Sequence, residues 1–141
     1  MIRKIKFEID GEPAGKGRPR FVRTSTRARA VTPSKTRAYE NHVRLEYNRQ
    51  VENFRFGEGE MLKMNVLAYF SIPQSKSKKM KHEMLSNNIR PTKKPDMDNI
   101  LKIIADALNN VAYYDDKQIV ECSIKKYYAN TPKVIVEIEN I

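Results

Sequence analysis

Alternation of apolar and polar positions opens the chain. Residues 2–9 place Ile5, Phe7 and Ile9 on one face and Lys4, Lys6 and Glu8 on the other, the period of a half-buried strand. The turn residues Asp10-Gly11-Glu12-Pro13 end it. From Lys16 to Arg29 no apolar period appears, which reads as a loop. Thr32-Pro33 then supplies an N-cap and a proline at the first helical position, and Tyr39, Val43 and Tyr47 recur every four residues as the buried stripe of a helix reaching about Gln50. Leu45 falls off that stripe, as an exposed leucine or part of a subunit interface.

Leu62, Met64, Val66, Ala68 and Phe70 alternate as a second strand, which Ile72-Pro73-Gln74 stops. Ser75 or Ser77 caps a short lysine-rich helix with Met80 and Met84 as its apolar pair, and Asn87-Asn88 and Pro91 close it. Pro95 keeps Lys94 extended, so the spacing predicts a helix from Asn99 to Asn109, capped by Asp98, that buries Ile100, Leu101, Ile104, Ala107 and Leu108. The alternations Val120, Cys122, Ile124 and Val134, Val136, Ile138 predict a third and a fourth strand about the turn at Asn130-Thr131-Pro132. The expected fold is α+β: a mixed sheet of about four strands with packed helices, in the order β-α-β-α-β-β.

A length of 141 residues is enough for one domain with a core and short for two, so residues 1–141 are expected to form a single domain. No stretch approaches the roughly 20 apolar residues of a membrane span, and Met1-Ile2-Arg3-Lys4-Ile5 lacks the apolar centre of a secretory signal, which points to the cytoplasm. Cys122, the single cysteine, sits in a strand pattern and reads as a small buried hydrophobe. With His42 and His82 isolated, a zinc site is not expected.

Charge changes the picture most. Lys and Arg total 27 against 17 Asp and Glu, a net charge of +10, which calls for an acidic partner. No segment has the character of an interfacial amphipathic helix, so nucleic acid is favoured over a membrane. Lys16, Arg18, Arg20, Arg23, Arg27 and Arg29 are interleaved with Gly15, Gly17 and Pro19, where arginine forks match phosphate oxygens and the small residues allow close approach. A solvated surface run is the bland account; with acids elsewhere in the chain, phosphate contact is favoured. Phe21 is either a base-stacking platform or a core anchor. Lys93 and Lys94 extend the candidate DNA-binding set.

Against this background stand four carboxylates in two pairs, Asp96 with Asp98 and Asp115 with Asp116. Each pair alone has an ordinary structural account, a helix cap or a turn. Together, separated by one helix, they can converge at one end of the sheet, where mutual repulsion would be offset by a divalent cation held through hard oxygen ligands, Mg²⁺ or Mn²⁺. Asp98, Lys102 and Asp106 follow one another at four-residue spacing and face one another on the helix. Tyr113 and Tyr114 read as packing residues at a strand start.

The stretch Lys94-Pro95-Asp96-Met97-Asp98-Asn99, with Lys102, Asp106-Ala107-Leu108-Asn109 and Asp115-Asp116, resembles the signature of the RusA family of Holliday junction resolvases. Gly15-Lys16-Gly17-Arg18-Pro19-Arg20-Phe21 and Thr32-Pro33-Ser34-Lys35-Thr36 also resemble a branch of that family with a basic loop before the first helix. The resemblance implies a Mg²⁺-dependent endonuclease acting as a homodimer on four-way DNA junctions. It carries the catalytic aspartates onto Asp96, Asp98 and Asp116 and the functional lysine onto Lys102, with Asp115 as a further metal ligand and Asp106 orienting Lys102. The rival reading is a non-enzymatic DNA-binding or architectural protein whose acids merely cap and turn; clustered acids near its DNA surface would weaken its binding.

Overall fold

The computed structural model describes residues 2–17, 20–23, 28–31 and 33–141, the residues 20–23 and 28–31 by their backbone. Four strands form the sheet: β1 (Lys4–Asp10), β4 (Leu62–Ser71), β5 (Ile119–Ala129) and β6 (Lys133–Asn140). Their order is β1-β6-β4-β5, with β6 antiparallel to both β1 and β4 while β4 and β5 run parallel. The fold is α+β with a mixed sheet, as the alternation predicts.

Parallel neighbours need a crossover, and here it consists of α2 (Lys78–Leu85) and α3 (Met97–Ala107). The remaining helix, α1 (Ser34–Val51), packs beside β1 and α3. One apolar cluster joins these layers: Ile5, Phe7 and Ile9 from β1, the alternate residues Leu62 to Phe70 of β4, Val134, Val136 and Ile138 of β6, and Ile100, Ile103 and Ile104 of α3. Phe7 meets Tyr47 of α1 edge to face at 5.2 Å. Gln50 of α1 then exchanges two hydrogen bonds with the Glu8 backbone at 2.8 and 2.9 Å, which occupies part of the free edge of β1.

Several elements differ from expectation. The segment read as a loop contains a short antiparallel hairpin, β2 (Arg20–Arg23) on β3 (Ala28–Val31), with Arg20 opposite Val31. Arms of four residues, mostly basic and small, are too short to display an apolar period. The expected cap Thr32 lies outside the described residues; α1 begins at Ser34. The lysine-rich helix is α2, capped by Ser77, whose Oγ accepts the Met80 N–H at 3.2 Å; Met84 is buried and Met80 is not.

Helix α3 starts two residues earlier than predicted, with Asp96 rather than Asp98 at its N-cap position. Pro95 constrains the residue before it, so nothing prevents the chain from turning helical immediately after Asp96. Cys122 is exposed, not buried, and Val120 is 58% exposed. They alternate correctly, but β5 is an edge strand, and an alternating face there does not guarantee cover. Among the described residues no helix is long and apolar enough to cross a membrane.

Candidate active site along helix α3

Helix α3 buries Ile100, Ile103, Ile104 and Ala107, and this commits its other side to Asp98, Lys102 and Asp106. Lys102 Nζ lies 3.0 Å from Asp106 Oδ1, one turn on. Asp96 stands exposed at the N-cap position and makes no capping hydrogen bond, while Asp98 Oδ1 accepts the Asn99 N–H at 3.0 Å. Both carboxylates sit where the positive end of the helix dipole favours negative charge.

The chain entering α3 is fixed from the sheet. Lys126 on β5 donates from Nζ to the carbonyls of Lys93 at 2.6 Å and Pro95 at 3.1 Å. Arg90 in turn donates to the Lys126 carbonyl at 2.8 Å and lays its guanidinium over Tyr127. Beside this entry lies a cleft of about 530 Å³, lined by Gly15, Lys16, Lys94, Asp96 and Asn99 among others. Lys94 is exposed there; Lys93 carries its ammonium over the Phe70 and Tyr128 rings, at 5.9 and 5.8 Å.

The second pair is held by Gln118. This buried side chain accepts the Tyr114 and Asp115 N–H groups through Oε1 and donates from Nε2 to the Gly57 and Glu60 carbonyls, so every one of its bonds serves the turn. Asp115 caps the one-turn 3₁₀ helix Asp116–Gln118, and the Lys117 N–H, at 2.9 Å from its Oδ1, holds its carboxyl below the usual carboxylate range. Asp116 shifts the other way: burial first, then the Asp115 and Asp106 carboxylates, push it up, and Lys102 opposes them. Its N–H is tied to Asn109 Oδ1 at 2.9 Å. Tyr113 is a core residue, its hydroxyl donated to the Ala105 carbonyl at 2.7 Å and its pKa raised by burial.

The two pairs therefore do not converge at one end of the sheet. In the crossover α3 runs back against the strands, so Asp96 and Asp98 lie near the far half of β5, where Lys126 holds Pro95, and Asp116 precedes the first residue of β5. Helix α3, eleven residues long, runs roughly 16 Å, and Asp116 lies by its Asp106 end, close enough to feel the charges of Asp106 and Lys102. Among the described residues, no three acids, histidines or cysteines stand close enough to hold a metal ion by themselves. Asp96 and Asp98 share no extended segment either, because Met97 and Asp98 are already helical. The donors nevertheless suit Mg²⁺, which takes hard oxygens, keeps several waters and binds through one or two carboxylates plus substrate phosphates. Asp96 with Asp98 supplies such a pair. What results is a track along α3 with acids at each end and Lys102 between them.

Lys16, expected on phosphate, is engaged within the protein. Its Nζ lies 2.7 Å from Glu40 Oε2 and 3.2 Å from Asp106 Oδ2. Burial disfavours its charge, but the bonds to Glu40 and Asp106 outweigh this, and the ammonium titrates above the ordinary lysine value. Arg18 lies outside the described residues, as do the side chains of Arg20, Phe21, Arg23 and Arg29, and Arg27 altogether. Sequence reasoning passed over Glu40, Gln118 and Lys126. Glu40 did carry a signal: three residues before Val43 and seven before Tyr47, it is a charge placed on the buried stripe of α1. Gln118 and Lys126 carried none, since their partners are distant in sequence.

Exposed carboxylates and a lysine ranged along one helix, on a chain of net charge +10, have the make-up of an enzyme for phosphodiester chemistry on a nucleic acid. Comparison with known families gives the particular one. A family model described as endodeoxyribonuclease RusA matches residues 10–139, and the chain belongs to that family. It is also 35% identical over 140 residues to the Bacillus subtilis (strain 168) protein named "Uncharacterized protein YqaN", covering 97% of this chain and 96% of that one.

Proposed function

We propose that the protein is a Mg²⁺-dependent endonuclease that resolves four-way DNA junctions in the cytoplasm, working as a homodimer that makes two symmetric cuts. The observation that carries this reading is the uncommitted, exposed carboxylate of Asp96 at the α3 N-terminus, beside Asp98 and the cleft with Lys94, in a chain of the RusA family. An aspartate kept only to cap the helix would bond an N–H of the first turn, and Asp96 does not.

Asp96 and Asp98 would hold the cation with phosphate oxygens of the substrate, and Asp116, at the other end of the α3 track, is the further catalytic carboxylate that the family resemblance implies. Mg²⁺, or Mn²⁺ in its place, supplies an acidified water and charge neutralisation at the scissile phosphate. Lys102 holds the phosphate and offsets the negative charge that builds on it as the bond to the leaving oxygen breaks. Lys94 and Lys93, with Arg18, Arg20 and Arg23, hold the flanking backbone through charge without reading bases.

The test is cleavage of a labelled four-way junction with and without Mg²⁺ by the wild type and by Asp96→Asn, Asp98→Asn and Asp116→Asn. Asparagine keeps the shape and removes the charge, so each variant is expected to melt like the wild type, bind the junction at least as tightly in metal-free buffer, and lose cleavage. Wild-type cleavage by all three folded variants would return the protein to the class of non-enzymatic DNA binders.

A further inference from the structure

Four charged groups form a chain that ends on Lys102: Glu40 on α1, Lys16 on the segment after β1, Asp106 and Lys102 on α3. The contacts are 2.7 Å from Glu40 to Lys16, 3.2 Å from Lys16 to Asp106 and 3.0 Å from Asp106 to Lys102. The two oxygens of Asp106 each take a different ammonium group. We propose that Lys16, anchored by Glu40, is a positioning residue: it fixes the Asp106 carboxylate, which in turn holds Lys102 in its working orientation. The inference rests on the role given to Lys102 under Proposed function.

Lys16 is not a lysine on a free loop. Its own N–H donates to the Asn99 carbonyl at 3.0 Å, stitching it to the first turns of α3. Gly17 donates its N–H to Thr36 Oγ1 at 3.1 Å, on the first turn of α1. Both glycines are required by proximity. A Cβ on Gly15 would lie 2.8 Å from Pro95 Cβ and 3.1 Å from Asn99 Cβ; one on Gly17 would lie 2.6 Å from Thr36 Oγ1. The backbone on either side of Lys16 is thus laid closely on two helices, which delivers its ammonium between Glu40 and Asp106.

Burial gives the arrangement its direction. Glu40 is 8% exposed, and a carboxylate in that position needs a partner, which Lys16 supplies. The Lys16 side chain is 24% exposed and that of Asp106 20%, whereas that of Lys102 is 60% exposed. A lone pair one turn apart on a helix surface holds an exposed lysine only weakly. A carboxylate pinned on its other oxygen by a half-buried cation offers Lys102 a stationary partner, and the four charges sum to zero. Two readings of Lys16 then separate: a phosphate ligand that contributes to DNA affinity, or an internal cation that contributes to the chemical step.

The experiment compares Lys16→Met and Asp106→Asn with the wild type. Three quantities are read: the salt dependence of junction binding, single-turnover cleavage at saturating protein, and the order parameter of the Lys102 side chain from ¹³C relaxation at Cε. The expected result is an unchanged salt slope for Lys16→Met, cleavage slowed about tenfold or more in both variants, and a fall in Lys102 order in both. A slope shallower by about one with wild-type saturated cleavage would make Lys16 a phosphate contact and overturn the proposal. So would undiminished Lys102 order in either variant. If Lys16→Met fails to fold, Asp106→Asn, which leaves Lys16 paired with Glu40, decides. Should the wild type cut no junction, the proposed function fails, and the Lys102 order parameters still decide whether the chain of charges positions it.

Discussion

At the scale of single residues, the candidate site is built as much by buried polar groups as by its acids. Gln118 is the clearest case: one buried amide satisfies two N–H groups and two carbonyls, and thereby ties the Asp115-Asp116 turn to the chain before β4. Replacing it by leucine fills the volume but strands these groups. Gln118→Leu is expected to lower stability by about 3 kcal/mol in denaturant unfolding, since each buried orphan costs about 1–3 kcal/mol. A loss below about 0.5 kcal/mol would show that water takes over the bonds. Asp96 and Asp98 were legible in sequence because an acid pair stands out in a basic chain. Gln118 was not, because a glutamine announces nothing until its partners are folded around it.

Among the elements, the segment carrying Gly15, Lys16 and Gly17 has the largest consequence for the site. It lies across the starts of both α1 and α3, and the glycines are there for closeness of approach. Gly15→Ala places a methyl 2.8 Å from Pro95 Cβ, too near to be absorbed without moving the entry to α3. The expected outcome is a loss of about 1–3 kcal/mol in stability, as for overpacking elsewhere, together with slower cleavage. A variant with both unchanged would mean that the segment shifts freely. On the exposed side, Val120→Lys on β5 should change stability by no more than about 0.5 kcal/mol, because Val120 is 58% exposed. A larger loss on denaturant unfolding would mean that a partner covers this edge.

For the whole molecule, charge and symmetry govern the expectations. Resolving a four-way junction takes two opposed cuts, and one chain carries one α3 track, so the active species is expected to be a symmetric dimer. Sedimentation at working concentrations tests this; a monomer that cuts both strands would overturn it. The +10 charge predicts steeply salt-dependent binding, and Arg18→Ala with Arg20→Ala should reduce the slope by about one per lost phosphate contact, equally for all junction sequences. A slope that stays at the wild-type value would remove these arginines from the interface.

By itself the sequence determined where the four strands of the main sheet lie, that an apolar stripe buries α3 on the sheet, and that acids and Lys102 remain on its other side, because these follow from periods of two and 3.6 and from the chemistry of a few residue types; the short hairpin of β2 and β3 has no such period and stayed hidden. It could not decide where the ends of α3 fall in space. A crossover between parallel strands must run back along the sheet, and that topology, not spacing, sends Asp96 and Asp98 to one end and Asp116 to the other. Nor could it decide that β5 is an edge, which leaves Cys122 exposed, or that Lys16 turns inward to Glu40 and Asp106. Those outcomes depend on which surfaces meet, and pairs distant in the chain meet only once the sheet order has been set.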